Sequence, residues 1–197
     1  PRIMVYILPG IKQPDPADVM RGEETQIAGF LKQNADYDGL ICLPGTHSKW
    51  VQVKDDQVAE FQTFMTGEIY DLLSHSSVLK HSVSSEGFSQ SEFVDAVRSA
   101  FETPSDAASQ LFRLRAQHLV HDTDAKVLHS RLSGILIGQE IAAMGRQWSH
   151  LPITLIGEEA LCSLYKSALE VVGKSVNFDL STAPTLRGLI AIRNGKG

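Results

Sequence analysis

The sequence predicts an α/β fold, and three stretches carry that expectation. The first is the apolar run Gly39-Leu40-Ile41-Cys42, followed by Leu43-Pro44-Gly45-Thr46-His47-Ser48-Lys49-Trp50-Val51, an Asp55-Asp56 turn and an alternating run to Phe61. That order reads as strand, tight loop, strand, hairpin, strand. The second is Leu151-Pro152-Ile153-Thr154-Leu155-Ile156-Gly157, a short buried strand ending in glycine. It leads into a helix, Glu158 to Val172, with Leu161, Leu164, Ala168, Leu169 and Val172 on one stripe. Between the two lies a third stretch whose apolar residues recur at helical spacing.

Taken in order, Ile3-Met4-Val5-Tyr6-Ile7-Leu8 is apolar enough for an interior strand. Pro9-Gly10 and Gln13-Pro14-Asp15-Pro16 predict a loop rich in breakers. From about Glu23, Ile27, Phe30 and Leu31 fall at helical spacing, with Glu23 and Glu24 in the first turn, where two acids suit the helix dipole. After the hairpin, Thr66 is a candidate cap for a helix bearing Ile69, Leu72 and Leu73. His75 to Gln90 is polar and reads as an exposed connection. Helices follow from Ser91 (Phe93, Val94, Val97, Phe101), from Ser105-Asp106 (Leu111, Leu114 and Leu119 inward) and over about Arg131 to Trp148. Gly134 and Gly138, one turn apart, predict close backbone packing. Pro184 opens a last helix over Leu186, Leu189, Ile190 and Ile192.

At 197 residues, 43% hydrophobic and 21% charged, the chain has enough apolar mass for a packed globular core. A formal net charge of -5 argues against nucleic-acid or anionic-membrane surfaces. Cys42 and Cys162 stand alone, without a CxxC, and read as small core residues in a reducing compartment. No run approaches the roughly 18 apolar residues of a membrane span, and no signal peptide opens the chain, so the cytoplasm is the expected location. The histidines His75, His81, His118, His121, His129 and His150 show no ligand spacing, and no metal site is expected from protein side chains. Neither GxGxxG nor GxxxxGK[ST] occurs.

The chemistry-bearing stretch is the Pro44 to Lys49 loop. Glycine, threonine and serine there can turn backbone N–H groups and hydroxyls toward one point, as phosphate sites require, although a Pro-Gly-Thr turn also occurs with no ligand.

Three segments resemble a known family. Met20-Arg21-Gly22-Glu23-Glu24-Thr25-Gln26, Leu43-Pro44-Gly45-Thr46-His47-Ser48-Lys49-Trp50-Val51 and Phe64-Met65-Thr66-Gly67-Glu68 are similar to the 2-dehydro-3-deoxygalactonokinases, sugar-acid kinases of the actin/hexokinase superfamily. The strand-Gly-helix from Ile153 to Val172 follows in the same order. The resemblance implies an actin-like ATPase (ribonuclease H-like) domain: a mixed sheet with flanking helices and a helical insertion. It also implies ATP and Mg2+, a 2-keto-3-deoxy sugar acid phosphorylated at its terminal hydroxyl, and galactonate breakdown.

By the same resemblance Glu23, with Glu24 as the fallback, is the catalytic carboxylate. Gly45, Thr46, His47, Ser48 and Lys49 contact phosphates, with Lys49 read equally well as an exposed edge lysine and His47 as a loop-packing residue. Gly157, Glu158 and Glu159 border the nucleotide, and Arg21 meets the substrate carboxylate. Kinases of this type open with a phosphate-holding Asp-x-Gly-Thr-Thr hairpin that does not occur in these 197 residues. The expectation is therefore that residues 1–22 are a remnant of the first kinase domain and its connection. Residues 23–197 are then the second domain, with a helical insertion at about 64–131, and the chain alone is not expected to turn over ATP. A kinase for another sugar or sugar acid, a non-catalytic nucleotide- or sugar-acid-binding module, and a homo-oligomer remain open alternatives.

Overall fold

A computed structural model describes residues 7–83, 87–145, 148, 150–178 and 184–194. The expected strand at Ile3–Leu8 lies outside the described residues up to Tyr6; Ile7 is exposed and Leu8 half-buried, and neither is in a strand.

The expected loop at residues 13–16 is instead a hairpin. β1 (Ile11–Pro14) pairs antiparallel with β2 (Ala17–Met20), and Asp15-Pro16 makes the turn. The prolines are tolerated because they sit at the turn end of a two-stranded ribbon, where few ladder N–H groups are needed. α1 (Glu23–Leu31) follows, burying Ile27 and Phe30. β3 (Gly39–Leu43), β4 (Ser48–Lys54) and β5 (Gln57–Phe64) form an antiparallel meander. Asp55 and Asp56 both take positive φ in the two-residue turn, the backbone that such hairpins require. The third strand runs to Phe64, three residues beyond expectation. Asp18 is the cause: its carboxylate accepts the Thr63 backbone N–H and hydroxyl, each at 2.7 Å, while Gln13 Oε1 accepts the Phe61 N–H.

From Thr66 to Gly145 the described chain is helical or turns: α2 (Thr66–His75), a 3-10 turn at Val78–His81, α3 (Gln90–Glu102), α4 (Ala107–His121) and α5 (Ala125–Gly145). The 75–90 connection is not wholly exposed, because Leu79 is buried beneath it. Leu114 faces inward as expected, whereas Leu119 is 65% exposed: α4 leans on its neighbours by a single stripe. α5 begins earlier than expected, after Asp124, whose carboxylate accepts the Lys126 N–H. β6 (Ile153–Leu155) then leads into α6 (Glu159–Val171), β7 (Val176–Phe178) and α7 (Pro184–Asn194).

The five-stranded sheet has order β5-β4-β3-β6-β7. β3 pairs antiparallel with β4 and parallel with β6, and β6 pairs parallel with β7, so the sheet is mixed. Its faces are set by alternation along β3, which is buried throughout. Leu40 and Cys42 join Trp50, Leu155, Tyr165 and the α3–α5–α6 layer, while Ile41 and Leu43 join Val51, Phe61, Ile27 and Phe30 under α1. Each fully buried aliphatic side chain contributes about 1.5–3 kcal/mol. α7 packs on α1, with Leu186, Leu189 and Ile190 still about half exposed.

The two helix-packing glycines behave as the sequence predicts. A Cβ at Gly134 would lie 2.5 Å from Phe93 O and 2.8 Å from Ala96 Cβ, and one at Gly138 would lie 2.6 Å from Val97 O. α3 and α5 therefore touch backbone to side chain along their length. Gly134→Leu is expected to force them apart and cost about 1–3 kcal/mol or more, measured by urea unfolding. An unchanged midpoint would show that the contact can give way freely.

Candidate active site

Because β3 and β6 run parallel, the loops leaving them emerge at the same end of the sheet, where ligands of α/β folds collect. Ile156 N–H donates to Cys42 O at 3.0 Å, extending that pairing to the strand ends. Pro44-Gly45-Thr46-His47 leaves β3, Gly157-Glu158 leaves β6, and Arg21-Gly22-Glu23 opens α1 beside them. Together they line a cleft of about 430 Å³.

A larger cleft of about 580 Å³ adjoins it and shares Pro44, Gly45, Thr46 and Glu158. Its remaining walls come from α2, α5, α6 and the approach to α3, including Tyr70, Phe88, His129, Leu136, Leu161 and Tyr165. The Gly45-Thr46 turn is thus the partition between a polar, acid-bearing cleft and a largely apolar, aromatic one.

Several polar groups at and around the smaller cleft have fixed partners. Glu23 Oε1 is 3.4 Å from Lys49 Nζ, and Glu23 Oε2 accepts the Arg21 N–H at 3.1 Å. Glu24 turns back instead to its own helix start, accepting the Gly22 N–H at 2.5 Å, and does not line either cleft. Lys49 is not the exposed edge lysine that one reading of the sequence offers. It is only 4% exposed, because β4 alternation points it beneath α1, and it also donates to His47 O at 3.0 Å. His47 is half exposed and meets Glu68 at 2.5 Å. Arg21 is exposed on the rim.

Ser48 does not face the clefts. It is fully buried under the loop, with its hydroxyl near Phe64 O at 3.5 Å. Glu158 caps α6, accepting the Ala160 and Leu161 N–H groups at 3.0 and 2.9 Å, and those bonds hold its carboxyl below the ordinary range. Glu159, exposed in the first turn of α6, lines neither cleft.

Thr66, read from the sequence as a helix cap, and Glu140, which sequence reasoning passed over, matter here. Thr66 does not cap α2, which starts after Met65 without a side-chain cap. The Thr66 hydroxyl instead donates to Glu140 on α5. Glu140 is 2% exposed and also accepts Trp50 Nε1–H at 2.7 Å and Tyr165 Oη–H at 2.9 Å. Burial pushes its carboxyl above the ordinary range against the pull of its donors from Thr66, Trp50, Tyr165 and Ser48. The signal was present in the sequence: Glu140 is the one acid of α5, set in the apolar run Ile135 to Met144. Above it, Glu68 N–H donates to Thr46 O at 3.0 Å, and Gly67 lies so close that a Cβ there would sit 2.5 Å from Gly45 O.

The 2-keto-3-deoxy-galactonokinase family profile matches residues 1–192. Among curated proteins, the Rhizobium meliloti (strain 1021) protein named probable 2-dehydro-3-deoxygalactonokinase DgoK1 is 43% identical over 178 residues, 87% of this chain and 58% of its own. The 2-dehydro-3-deoxygalactonokinase of Escherichia coli (strain K12) is 34% identical over 175 residues, 87% of this chain and 59% of its own. A crystal structure assigned as a 2-dehydro-3-deoxygalactonokinase protein from Sinorhizobium meliloti superposes with a TM-score of 0.92 at 40% identity, covering 96% of this chain and 65% of that one. The chain thus spans 58% and 59% of the length of these two curated relatives, and by the match along nearly all of its own length it belongs to the 2-keto-3-deoxy-galactonokinase family.

Proposed function

We propose that the complete gene product carrying this chain transfers the γ-phosphoryl group of ATP to the terminal hydroxyl of 2-dehydro-3-deoxy-D-galactonate, giving the 6-phosphate, in the cytoplasm during galactonate breakdown. The observation that carries this reading is the pair of clefts meeting at Gly45-Thr46, with the Glu23 carboxylate on the smaller one. A two-substrate transfer needs such a meeting point, and family membership supplies the substrate class. We assign residues 23–197 to the second domain of an actin-like ATPase (ribonuclease H-like) architecture, with about 64–131 as its helical insertion and 1–22 as connection. Support comes from the mixed sheet with helices on both faces and the helical run between β5 and β6.

In this assignment ATP occupies the larger cleft, its base among Tyr70, Phe88 and Leu161 and its phosphates toward Gly45, Thr46 and the Gly157-Glu158 turn. The sugar acid occupies the smaller cleft, its carboxylate toward the Arg21 guanidinium. Glu23 accepts the hydroxyl proton as the new O–P bond forms and the bond from the γ-phosphorus to the β-bridging oxygen breaks, releasing ADP. Glu23 is preferred over Glu24 because it alone of the two lines the cleft, and Lys49 fixes its orientation. Among the described residues no group of three His, Cys, Asp or Glu side chains could hold a metal ion. These residues build no magnesium cage of their own, and Mg2+ would arrive chiefly on nucleotide phosphates and water.

ADP release by the complete gene product tests the reading. Wild type and Glu24→Gln are expected to turn over ATP with this sugar acid, and Glu23→Gln to lose about 10²–10⁴-fold in kcat. A wild type that binds ATP yet releases no ADP with any 2-keto-3-deoxy sugar acid would leave a binding module in place of a kinase. Phe88→Ala, at a half-exposed site, is expected to weaken ATP binding by about 5–100-fold by calorimetry, the scale of one lost base-aromatic stack. An unchanged affinity would move the base elsewhere.

A further inference from the structure

Glu140 has no part in the proton or phosphoryl steps, and fold stability does not explain it. A buried carboxyl is expensive unless fully hydrogen-bonded, and an apolar residue at such a site commonly serves stability as well or better. What distinguishes Glu140 is the origin of its donors. Trp50 lies on β4, Thr66 opens α2 and Tyr165 lies in α6, so a single carboxyl on α5 fixes three other elements against one another.

Two of those donors, Thr66 and Tyr165, line the larger cleft. The first turn of α2 then passes the constraint to the cleft partition: Glu68 N–H holds Thr46 O at 3.0 Å, and Gly67 presses on Gly45. The hydroxyl of Ser48, at the far end of the same loop, also acts to lower the Glu140 carboxyl against its burial. A displacement of the Glu140 carboxylate cannot leave Gly45 and Thr46 where they are.

We propose that Glu140 is a positioning residue for nucleotide binding, acting through the hydroxyls of Thr66 and Tyr165 on the Gly45-Thr46 loop. The assignment rests on the reading of the larger cleft as the ATP site. It assigns the helical layer a role in setting the geometry of a loop that belongs to the sheet.

The test uses the complete gene product and a non-hydrolysable ATP analogue, titrated by calorimetry against wild type, Glu140→Gln and Val53→Ala. Val53 is buried on the opposite face of the sheet and serves as a control for general destabilisation. Glu140→Gln is expected to raise the Kd at least tenfold and the KM for ATP in parallel, with the KM for the sugar acid within twofold of wild type. Val53→Ala is expected to lower the melting temperature while leaving the Kd within twofold. Thr66→Val combined with Glu140→Gln is expected to lose no more than the worse single variant, since both cut one chain of contacts.

A Glu140→Gln protein that binds the analogue within threefold of wild type overturns the assignment, as does an additive double variant. If Glu140→Gln does not fold, Trp50→Phe decides in its place, because Trp50 donates to Glu140 and lines neither cleft: a Kd raised at least threefold supports the assignment, and one within twofold of wild type overturns it. Wild type that binds no analogue at all overturns the nucleotide reading, and this assignment with it. That result is distinct from failure of the assignment alone, in which wild type and variant bind equally.

Discussion

The parallel pairing of β3 with β6 is the constraint on which the rest of the molecule depends. Leu40, Ile41 and Cys42 are matched in register to Ile153, Thr154 and Leu155, although more than a hundred residues separate the two strands in sequence. That pairing brings the Pro44 to His47 turn beside the Gly157-Glu158 turn and closes the long helical excursion into a layer over one face of the sheet. Without it the two loops would have no common edge and the clefts no shared wall. The parallel arrangement also explains why β3 is buried on both sides, with no room for the polar alternation of an exposed strand.

The two faces of the sheet do different chemical work. Under α1, Lys49 sits almost out of solvent against Glu23, so that a cation from the sheet steadies an acid from the helix. On the opposite face the polar centre is Glu140, and its partners are neutral donors. Between the two faces runs the Gly45-Thr46 turn, gripped from one side by α2 and open on the other to the acid-bearing cleft. The loop is therefore held by the Glu68 N–H on Thr46 O, by Lys49 Nζ on His47 O and by the His47–Glu68 pair, with Gly45 and Thr46 on the wall shared by both clefts.

Much of this was legible in the residues. The Asp55-Asp56 turn, the apolar run of β3 and the Gly134/Gly138 spacing each have a local cause, so periodicity and turn chemistry found them. What escaped has non-local causes. The β1–β2 hairpin hid behind Pro14 and Pro16 because its register depends on Gln13 and Asp18 reaching β5. Thr66 looked like a cap because caps are recognised by neighbours in sequence, whereas its real partner is 74 residues away. Ser48 carried the right chemistry for a phosphate loop, but β4 is buried on both faces and turns Ser48 to the side of Trp50, under the helical layer. Lys49, on the other face of the same strand, is buried as well, against Glu23 at the start of α1. Of the sheet, only β7 was missed entirely, since three residues, Val176–Phe178, make too short a pattern to read.

The contacts from Gln13 and Asp18 to β5 have one more implication. Among the described residues β5 is the last strand on its side of the sheet, and Phe61 and Thr63 are where its amides are satisfied by side chains. The β1–β2 ribbon is therefore a lid on a hydrogen-bonding template. At Phe61 and Thr63 the edge amides are thereby closed to pairing with any further extended segment. Those two polar side chains, with Met20 buried at the end of β2, hold residues 11–20 against the edge of the sheet.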